Sequence, residues 1–513
     1  RRDDMLFAID DLKKFGLSFS YEKGLRVGVA FLKAKRLQRE GKWEQAAAAY
    51  VSAVAKNPKG KDAPAGLWNA ALMYEKANRY GSAIRMYERV VAEYPRWKSK
   101  SGKAGASQAL FYVAYNAEKY FNFNKAINRY MKLVNKFKSS DKRPDALYNA
   151  ALLLENMQRY EEAARAYMRY EREFNSRDDA PEQLYKAAMI YKKMKRTDQM
   201  IATLKKFINK YKRNGKQIRR VMLAYGYIMN EKEKQYEEET ADMSDRRKRR
   251  KWKAMKREYE KVIRVFGDLK DKMQPVDIAL TRRYPAKALF KIKMEEAYKK
   301  FIALKVDSTN PKKQGKQTQA KFKAYTELEA EFKQIFVYKS PPWLLCAMYR
   351  LAKARLNISE TVKKAPLPKI RGIRWNEESK ELYFEQRDQK LIQPLEDKAK
   401  KDFELAVKTS EKYHFQNQCS RNAYKDLHAM DPSVPLPKDL KNQHNVVDNS
   451  PLGLITSLEK KKKKGKKGKK PAGTKKPAAP KKPAAPKKPA ATPKKAAPSQ
   501  PRSAPKAATP KKQ

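Results

Sequence analysis

Residues 78–87 read Asn-Arg-Tyr-Gly-Ser-Ala-Ile-Arg-Met-Tyr, in which an aromatic residue, an alanine and a tyrosine keep a fixed spacing. The same spacing returns in three further segments, at 41–50, 121–130 and 158–167. The alanines of the four copies stand at 46, 83, 126 and 163, and Met200 takes that place in a weaker fifth copy around Thr197. The spacings of 37, 43, 37 and 37 residues predict an array of repeated structural units.

Each copy also has a fixed set of small and aromatic residues around this core pattern. The pattern resembles the tetratricopeptide repeat family, whose unit is a hairpin of two helices, A and B. The resemblance implies a small residue in helix A, where alanine lets the helices approach closely, and an aromatic residue that opens helix B. The matching small residues are Ala71, Ala114, Ala151 and Ala188, and the matching openers are Trp43, Tyr80, Phe123 and Tyr160.

The resemblance implies an all-α fold: a tetratricopeptide-type helical-hairpin solenoid with degenerate C-terminal repeats and a disordered basic tail. The long units and their aromatic ends resemble bacterial cell-envelope members of the family, of the outer-membrane assembly lipoprotein and Tol-Pal coordinator type. The lysine-rich, Pro/Ala-tailed form is also similar to myxobacterial envelope repeat proteins. The predicted divisions are an N-terminal cap at 1–25, five repeats at 26–213, degenerate repeats with insertions at 214–430, an irregular linker at 431–459 and the tail at 460–513.

Helical periodicity continues beyond the fifth repeat, while the repeat pattern fades. Ala399 and Phe403 keep a helix-B spacing, and Pro341 suits the first turn of a helix A. Residues 363–374 contain two prolines and a glycine and are predicted to form an inserted loop. The predicted helices are 219–236, 245–266, 284–305, 316–337, 341–357, 377–389, 391–413 and 418–429.

The last 54 residues have a composition that cannot form a core. Residues 460–513 hold 21 lysine and arginine residues, no aspartate or glutamate and no aromatic residue. Charge repulsion and repeated proline predict an extended, disordered chain. The net charge of the whole chain is +62, so the residues before the tail are strongly basic as well. Such a surface attracts nucleic acid, anionic lipid, cell-wall polymers or acidic proteins, and charge alone does not choose among them.

A candidate partner-binding groove follows from the A helices, which the family resemblance places on one face of the array. An aromatic residue stands twelve positions before each helix-B opener, and apolar or amide residues follow it in the same helices. They could dock a peptide, or the rings could pack between neighbouring helices and meet no ligand. Some members of the family hold the C-terminal carboxylate of a peptide with lysine and asparagine side chains on this face, an arrangement called a carboxylate clamp. No lysine recurs beside the asparagines here, so the sequence favours an apolar or mixed ligand over a C-terminal carboxylate. The candidates are Phe31, Trp68, Asn69, Leu72, Phe111, Tyr115, Tyr148, Asn149, Leu152 and Tyr185.

Two candidate polyanion sites are visible. The first is a basic helix start, which could grip phosphates or an anionic membrane or could be a solvated end neutralised by nearby glutamates. The second is the tail, which resembles the C-terminal domains of linker histones and could equally be a solubilising or wall-binding segment. The basic residues of the helix start are Arg246, Arg247, Lys248, Arg249, Arg250 and Lys251. Those of the tail are Lys475, Lys476, Lys481, Lys482, Lys487 and Lys488. In the first helix, Trp252, Met255 and Tyr259 are predicted to form the buried face.

Signatures of catalysis, metal binding and cofactor binding are missing from the sequence. The three histidines, His414, His428 and His444, lack partners at metal spacing, and no phosphate loop, dinucleotide turn or nucleophile elbow is present. Cys346 and Cys419 are too few for a disulfide framework; a single bridge between them is the less favoured alternative, and we expect them to remain separate thiols.

The sequence therefore predicts a non-enzymatic scaffold, without cofactor or metal, that binds a protein or peptide in its groove while a cationic segment adheres to a polyanion. A bacterial envelope, periplasmic or associated with the outer membrane, is the favoured compartment. The alternative is a cytoplasmic, nucleoid-associated protein that uses the tail and the basic body. No stretch approaches the ~20 apolar residues of a membrane span. Oligomeric state is not readable from the sequence.

Overall fold

The computed structural model describes residues 22–102 and 104–435, together with eight positions between Phe7 and Gly16. The predicted tail, most of the predicted linker and much of the predicted N-terminal cap lie outside the described residues. The described part is helical, and its one extended feature is an isolated antiparallel bridge between Lys98 and Gly105.

Five consecutive helical hairpins make up the first half of this part, hereafter the repeat array. Eight of its ten helices are 14 residues long, and every B helix begins at its predicted opening residue. The A helices are α1 (Glu22–Arg39), α3 (Ala63–Lys76), α5 (Ala106–Lys119), α7 (Arg143–Asn156) and α9 (Ala180–Lys193). The B helices are α2 (Trp43–Lys56), α4 (Tyr80–Glu93), α6 (Phe123–Lys136), α8 (Tyr160–Glu173) and α10 (Thr197–Tyr211).

The turn between helices A and B has the same backbone conformation in all five repeats. The residue two positions before each B helix has a positive φ between 57° and 73°. Only the first copy places a glycine there, so four repeats accept a side chain in a left-handed conformation that favours glycine. The turn residues are Gly41, Asn78, Phe121, Gln158 and Lys195.

The core of the array is built from the repeated alanines and tyrosines. Ala83, Ala126 and Ala163 are fully buried, as predicted for close contacts between helices. The helix-B tyrosines at 50, 87, 130 and 167 are also buried. Most of these side chains belong to one continuous cluster that runs from the first repeat to residue 228, and the first repeat contributes a smaller adjoining cluster. Each hairpin therefore buries its apolar face against the next.

A hydrogen bond that sequence reasoning missed links three of the four buried tyrosines to the end of their own helix A. The hydroxyl of Tyr50 donates to Gln38 over 2.9 Å, and that of Tyr167 donates to Glu155 over 2.9 Å. Tyr130 makes the equivalent, longer bond of 3.4 Å with an acid at the same position. Because a buried hydroxyl costs free energy without a partner, the polar residue twelve positions upstream is part of the repeat.

The second half, hereafter the C-terminal region, has helices of very unequal length. The helices that the sequence predicted are present, and α13 was not foreseen. They are α11 (Ile218–Thr240), α12 (Asp245–Leu269), α13 (Pro275–Thr281), α14 (Arg283–Leu289), α15 (Glu295–Ala303), α16 (Pro311–Phe336), α17 (Pro341–Lys363), α18 (Glu377–Arg387), α19 (Gln393–Lys412) and α20 (Gln418–Met430). Two π-helical turns, Phe290–Met294 and Asp388–Ile392, join α14 to α15 and α18 to α19.

Helices α17 and α19 pack as a helix pair despite the insertion between them. Phe403 and Ala399 of α19 are fully buried with Tyr349 of α17 in one apolar cluster. The helix-B spacing in the sequence therefore marked a true packing face. The predicted inserted loop lies between the two helices, where residues 365–370 and 373–376 have no regular structure.

The expectation of two separate thiols was wrong. Cys346 of α17 and Cys419 of α20 form a disulfide, with their Cα atoms 5.1 Å apart and a separation of 73 positions in sequence. No local pattern in the sequence indicates this bond, because the two cysteines meet only through the packing of α17, α19 and α20. The bond closes a loop that contains the inserted segment, and it ties the last described helix to the core.

Candidate functional site

The predicted aromatic stripe of the A helices packs chiefly against the B helices. The ring of Trp68 lies edge-on to that of Tyr87, with centroids 5.2 Å apart, and its side chain is only 9% exposed. Phe111 makes the same contact with Tyr130 at 5.4 Å. The remaining stripe residues are partly buried beside ring partners in their own repeats; they are Phe31, Tyr148 and Tyr185. The stripe thus packs helix A against helix B within each repeat, and its rings offer limited surface to a ligand.

The residues one turn further along the same helices are more accessible. Tyr115 is 39% exposed and Leu152 is 37% exposed, while Leu72 is partly buried in the equivalent place of the second repeat. The two candidate asparagines differ: Asn149 donates to the hydroxyl of Tyr130 over 3.3 Å, and Asn69 is partly exposed. We call Leu72, Tyr115 and Leu152 the A-helix row.

Exposed apolar side chains are distributed unevenly over the described array. Leu32, Tyr115 and Leu152 lie on A helices, and Tyr120 and Phe121 lie in the turn of the third repeat. None of the B helices carries an exposed large apolar side chain among the residues described. The A-helix side is therefore the side of the array with apolar contact area to offer a partner.

A cavity of about 430 Å³ opens between the A helices of the last three repeats. The predicted residues Phe111, Tyr148 and Asn149 line it. The structure thus brings part of the predicted groove together at one place, between α5, α7 and α9. Burial raises the pKa of Tyr185, a stripe residue outside the lining of this cavity.

The predicted basic helix start is also present, as the first two turns of α12. The side chains at 246, 247, 249 and 250 are exposed arginines with no ion pair among the described residues. Lys251 pairs with Glu239, and the ammonium group of Lys248 donates to the Ala241 carbonyl over 3.2 Å. The buried face predicted for this helix is confirmed, because Met255 and Tyr259 are buried and Trp252 donates to Glu296. The six tail lysines of the second candidate site lie outside the described residues.

Other kinds of site can be checked in the part of the chain that the structure describes. There, no three histidine, cysteine, aspartate or glutamate side chains are grouped so as to hold a metal ion. No helix within the described ranges has both the length and the apolar character needed to cross a membrane.

Comparison with known proteins bears on the repeats. The tetratricopeptide repeat family matches residues 31–96, and a second description of the same repeat matches residues 145–174 and 184–213. These matches cover the first two and the last two hairpins of the array. The chain therefore contains tetratricopeptide repeats, arranged as an all-helical solenoid. No curated protein matches the chain.

Solved structures of repeat proteins align with part of the chain. MamA aligns at 14% identity and a TM-score of 0.27, covering 38% of this chain and 96% of MamA. YrrB, described as a tetratricopeptide repeat protein with an unusual peptide-binding site, aligns at 15% identity and a TM-score of 0.25, covering 36% and 86%. A tetratricopeptide repeat protein from Parabacteroides merdae aligns at 14% identity and a TM-score of 0.26, covering 52% and 91%. The assignment of the repeats rests on the family matches and on the helix geometry above.

Proposed function

We propose that this protein is a scaffold that holds a segment of a partner protein on the A-helix side of its repeat array. The observation that carries the proposal is the one-sided distribution of exposed apolar side chains, with Tyr115 and Leu152 available on successive A helices. Helical repeats stack equivalent positions side by side, so the row continues from one repeat to the next. A partner segment that lies along it would bury these side chains and find a cavity at one end.

The test is a peptide selection on the full-length chain, followed by affinity measurements on the peptides obtained. Tyr115→Ser with Leu152→Ser should weaken the selected peptides at least about tenfold, which corresponds to about 1.4 kcal/mol of lost apolar contact. Tyr120→Ser is the matched control, because it removes an exposed tyrosine from the turn and leaves the row intact. Equal weakening by the control, or none by the double substitution, would contradict the proposed surface.

A polyanion-binding role is proposed for the start of α12. Six basic residues stand in the first two turns, and within the first turn the helix dipole disfavours a positive charge by about 0.3–1 kcal/mol. Four arginines there have no ion pair among the described residues to offset this cost. The arrangement is therefore unfavourable for the isolated helix and suits an anionic surface that supplies the missing negative charge.

Changing Arg246, Arg247, Arg249 and Arg250 to glutamine should reduce binding to anionic phospholipid vesicles. The slope of log affinity against log salt should also fall, by about 3 to 4 for duplex DNA if all four contact phosphates. Vesicle binding without DNA binding would favour the envelope role, and the reverse would favour the nucleic-acid role. If neither vesicle binding nor DNA binding changes, the four arginines are solvated side chains that bind no polyanion.

The disulfide supports a compartment outside the cytoplasm. Disulfides persist in oxidising environments such as the bacterial periplasm and are rare where thiols are kept reduced. Cys346 and Cys419 thus favour an envelope scaffold over the nucleoid-associated alternative. Labelling of free thiols in protein taken from its native cells tests this point: two unreactive cysteines fit the envelope, and two reactive cysteines fit the cytoplasm.

A further inference from the structure

The cavity between α5, α7 and α9 differs in charge from the rest of this strongly basic chain. Three carboxylates line it, from Asp145 of α7, Asp179 just before α9 and Glu182 of α9. The only cation among its lining residues is Lys186. In a chain with a net charge of +62, the lining of this cavity is therefore acidic, although its carboxylates also pair with Arg177, Arg220 and Lys142.

The polar groups that line the cavity are mainly hydrogen-bond acceptors. Gln183 is 2% exposed and lines the cavity, and its Nε2 donates to the Asp179 carbonyl over 3.1 Å. Because a carbonyl only accepts, this bond fixes the orientation of the amide, and the Oε1 atom is left without a partner. A buried acceptor without a donor costs about 1–3 kcal/mol. The carboxylates and this oxygen together would be satisfied by a ligand rich in N–H groups.

Aromatic rings form another part of the wall, and lysine ammonium groups already lie over two of them, Lys186 over Tyr148 and Lys142 over Phe111. The ammonium group of Lys186 lies 5.2 Å from the ring centroid of Tyr148 and 3.6 Å from the carboxylate of Glu182. Phe111 lines the cavity as well. Ring faces attract cations, and the planar guanidinium group stacks on them better than an ammonium group does.

Asp179 holds its charge at neutral pH. Burial would raise the pKa of Asp179, but hydrogen bonds from Tyr170 and Arg177 outweigh it and keep the pKa below its usual range. Tyr170, which also lines the cavity, donates to Asp179 over 2.7 Å, and Arg177 donates to it over 3.1 Å. Asp145 has only a loose contact of 3.6 Å with Lys142. Asp145 is therefore the carboxylate most available to a ligand.

We infer that this cavity binds an arginine side chain of the partner segment. The guanidinium group offers five N–H donors in a plane, which suits several acceptors and an aromatic wall at once. Lysine offers three donors at one point and fits this set less well. The inference rests on the proposed function, since the arginine would belong to the segment that lies along the A-helix row, and it adds the residue type that this segment carries.

The experiment uses the full-length chain and the tripeptide acetyl-Ala-Arg-Ala-amide as a calorimetric probe. The arginine tripeptide should bind at least about tenfold more tightly than its citrulline analogue, which has nearly the same shape without the charge. Asp145→Asn combined with Glu182→Gln should remove this preference. Glu44→Gln is the matched control, because Glu44 is an exposed glutamate that pairs with Arg79 on the first two repeats, far along the chain from the cavity.

Gln183→Leu provides a second variant that changes only the buried acceptor. It should weaken the arginine tripeptide by about fivefold to tenfold while thermal unfolding shows a folded array. Equal binding of the arginine and citrulline tripeptides, or binding that both cavity variants leave unchanged, would overturn the inference.

The outcomes for the cavity and for the proposed function can be told apart. If selected peptides depend on Tyr115 and Leu152 but the arginine tripeptide does not bind, the scaffold role stands and the arginine site fails. If the tripeptide binds and no selected peptide depends on the row, the cavity is an arginine site and the scaffold surface fails.

Discussion

The repeat array and the C-terminal region are both helical, but they are stabilised in different ways. The array repeats one hairpin with one set of contacts, so its core is nearly continuous and its apolar cluster spans all five units. The C-terminal region divides its buried residues among three clusters and has helices of 7 to 26 residues. In the array each hairpin is stabilised by packing against its neighbours. The C-terminal region is instead stabilised by individual covalent and polar contacts between its helices.

The described array has one comparable link, the buried carboxylate of Glu171 paired with Lys210, whereas the C-terminal region has three. One is the disulfide between α17 and α20. Another is the buried carboxylate of Glu233, which pairs with Lys287 and Lys291. A third is Lys321, a buried lysine whose ammonium group donates to the carbonyls of Phe301 and Leu304 at the end of α15. The difference predicts that single changes weaken the two halves unequally.

Loss of the disulfide should give the largest effect. Cys346→Ala with Cys419→Ala opens a loop of 73 residues, and the chain-entropy model assigns about 4 kcal/mol to a loop of that size. Urea unfolding followed by far-ultraviolet circular dichroism should show the C-terminal transition moving to lower urea, with the array transition unchanged. A single transition that shifts as a whole would contradict the separation of the two halves.

Overpacking should give the largest effect of a single substitution within the array. A Cβ atom on Gly66 would lie 2.6 Å from a methyl group of Val54 and 2.7 Å from the ring of Phe31, so Gly66→Ala should cost about 3 kcal/mol. Gly81→Ala is the matched control, because nothing lies within 4 Å of its Cβ position and alanine favours the helix by about 0.5–1 kcal/mol. The measurement is the melting temperature of the array; similar shifts for both would rule out close packing at Gly66.

The buried lysine should make the C-terminal region sensitive to pH. Burial lowers the pKa of Lys321 from 10.5 to about 8, so between these values the unfolded chain holds a proton that the folded chain has released. Stability contributed through this residue therefore rises as pH increases from 8 to 10.5. The difference in unfolding free energy between the wild type and Lys321→Met should shift by about 2 kcal/mol in favour of the wild type between pH 7.5 and 10.5. A difference that is constant with pH would mean that the lysine is solvated.

The tyrosine hydrogen bonds should give the smallest of these effects. Tyr167→Phe removes the bond to Glu155 and leaves the packing of the ring intact, so it should cost about 1 kcal/mol. The same change at Tyr80, whose hydroxyl bonds only to Asn78 in its own turn, should cost less. Chemical unfolding of the two variants measures the difference, and equal costs would show that the buried hydrogen bond adds nothing to the repeat.

Sequence reasoning succeeded where structure is repeated. Trp43 and its equivalents fixed the start of every B helix, because one side-chain pattern recurred five times. It failed on the contact between Cys346 and Cys419, since no local pattern announces a meeting of distant helices. It also could not decide whether Trp68 faces a ligand or the core, because an aromatic residue at this place on helix A suits either role. Gln183 carried no signal at all, since its importance comes from an oxygen left without a partner in the folded chain.

The central claim is that the A-helix side of the repeat array holds the partner segment. Hydrogen–deuterium exchange of the full-length chain, with and without a selected peptide, tests it most directly. We expect slower exchange in α5, α7 and α9, with little change in α6, α8 and the C-terminal region. Protection confined to the B helices or to the C-terminal region would contradict the claim.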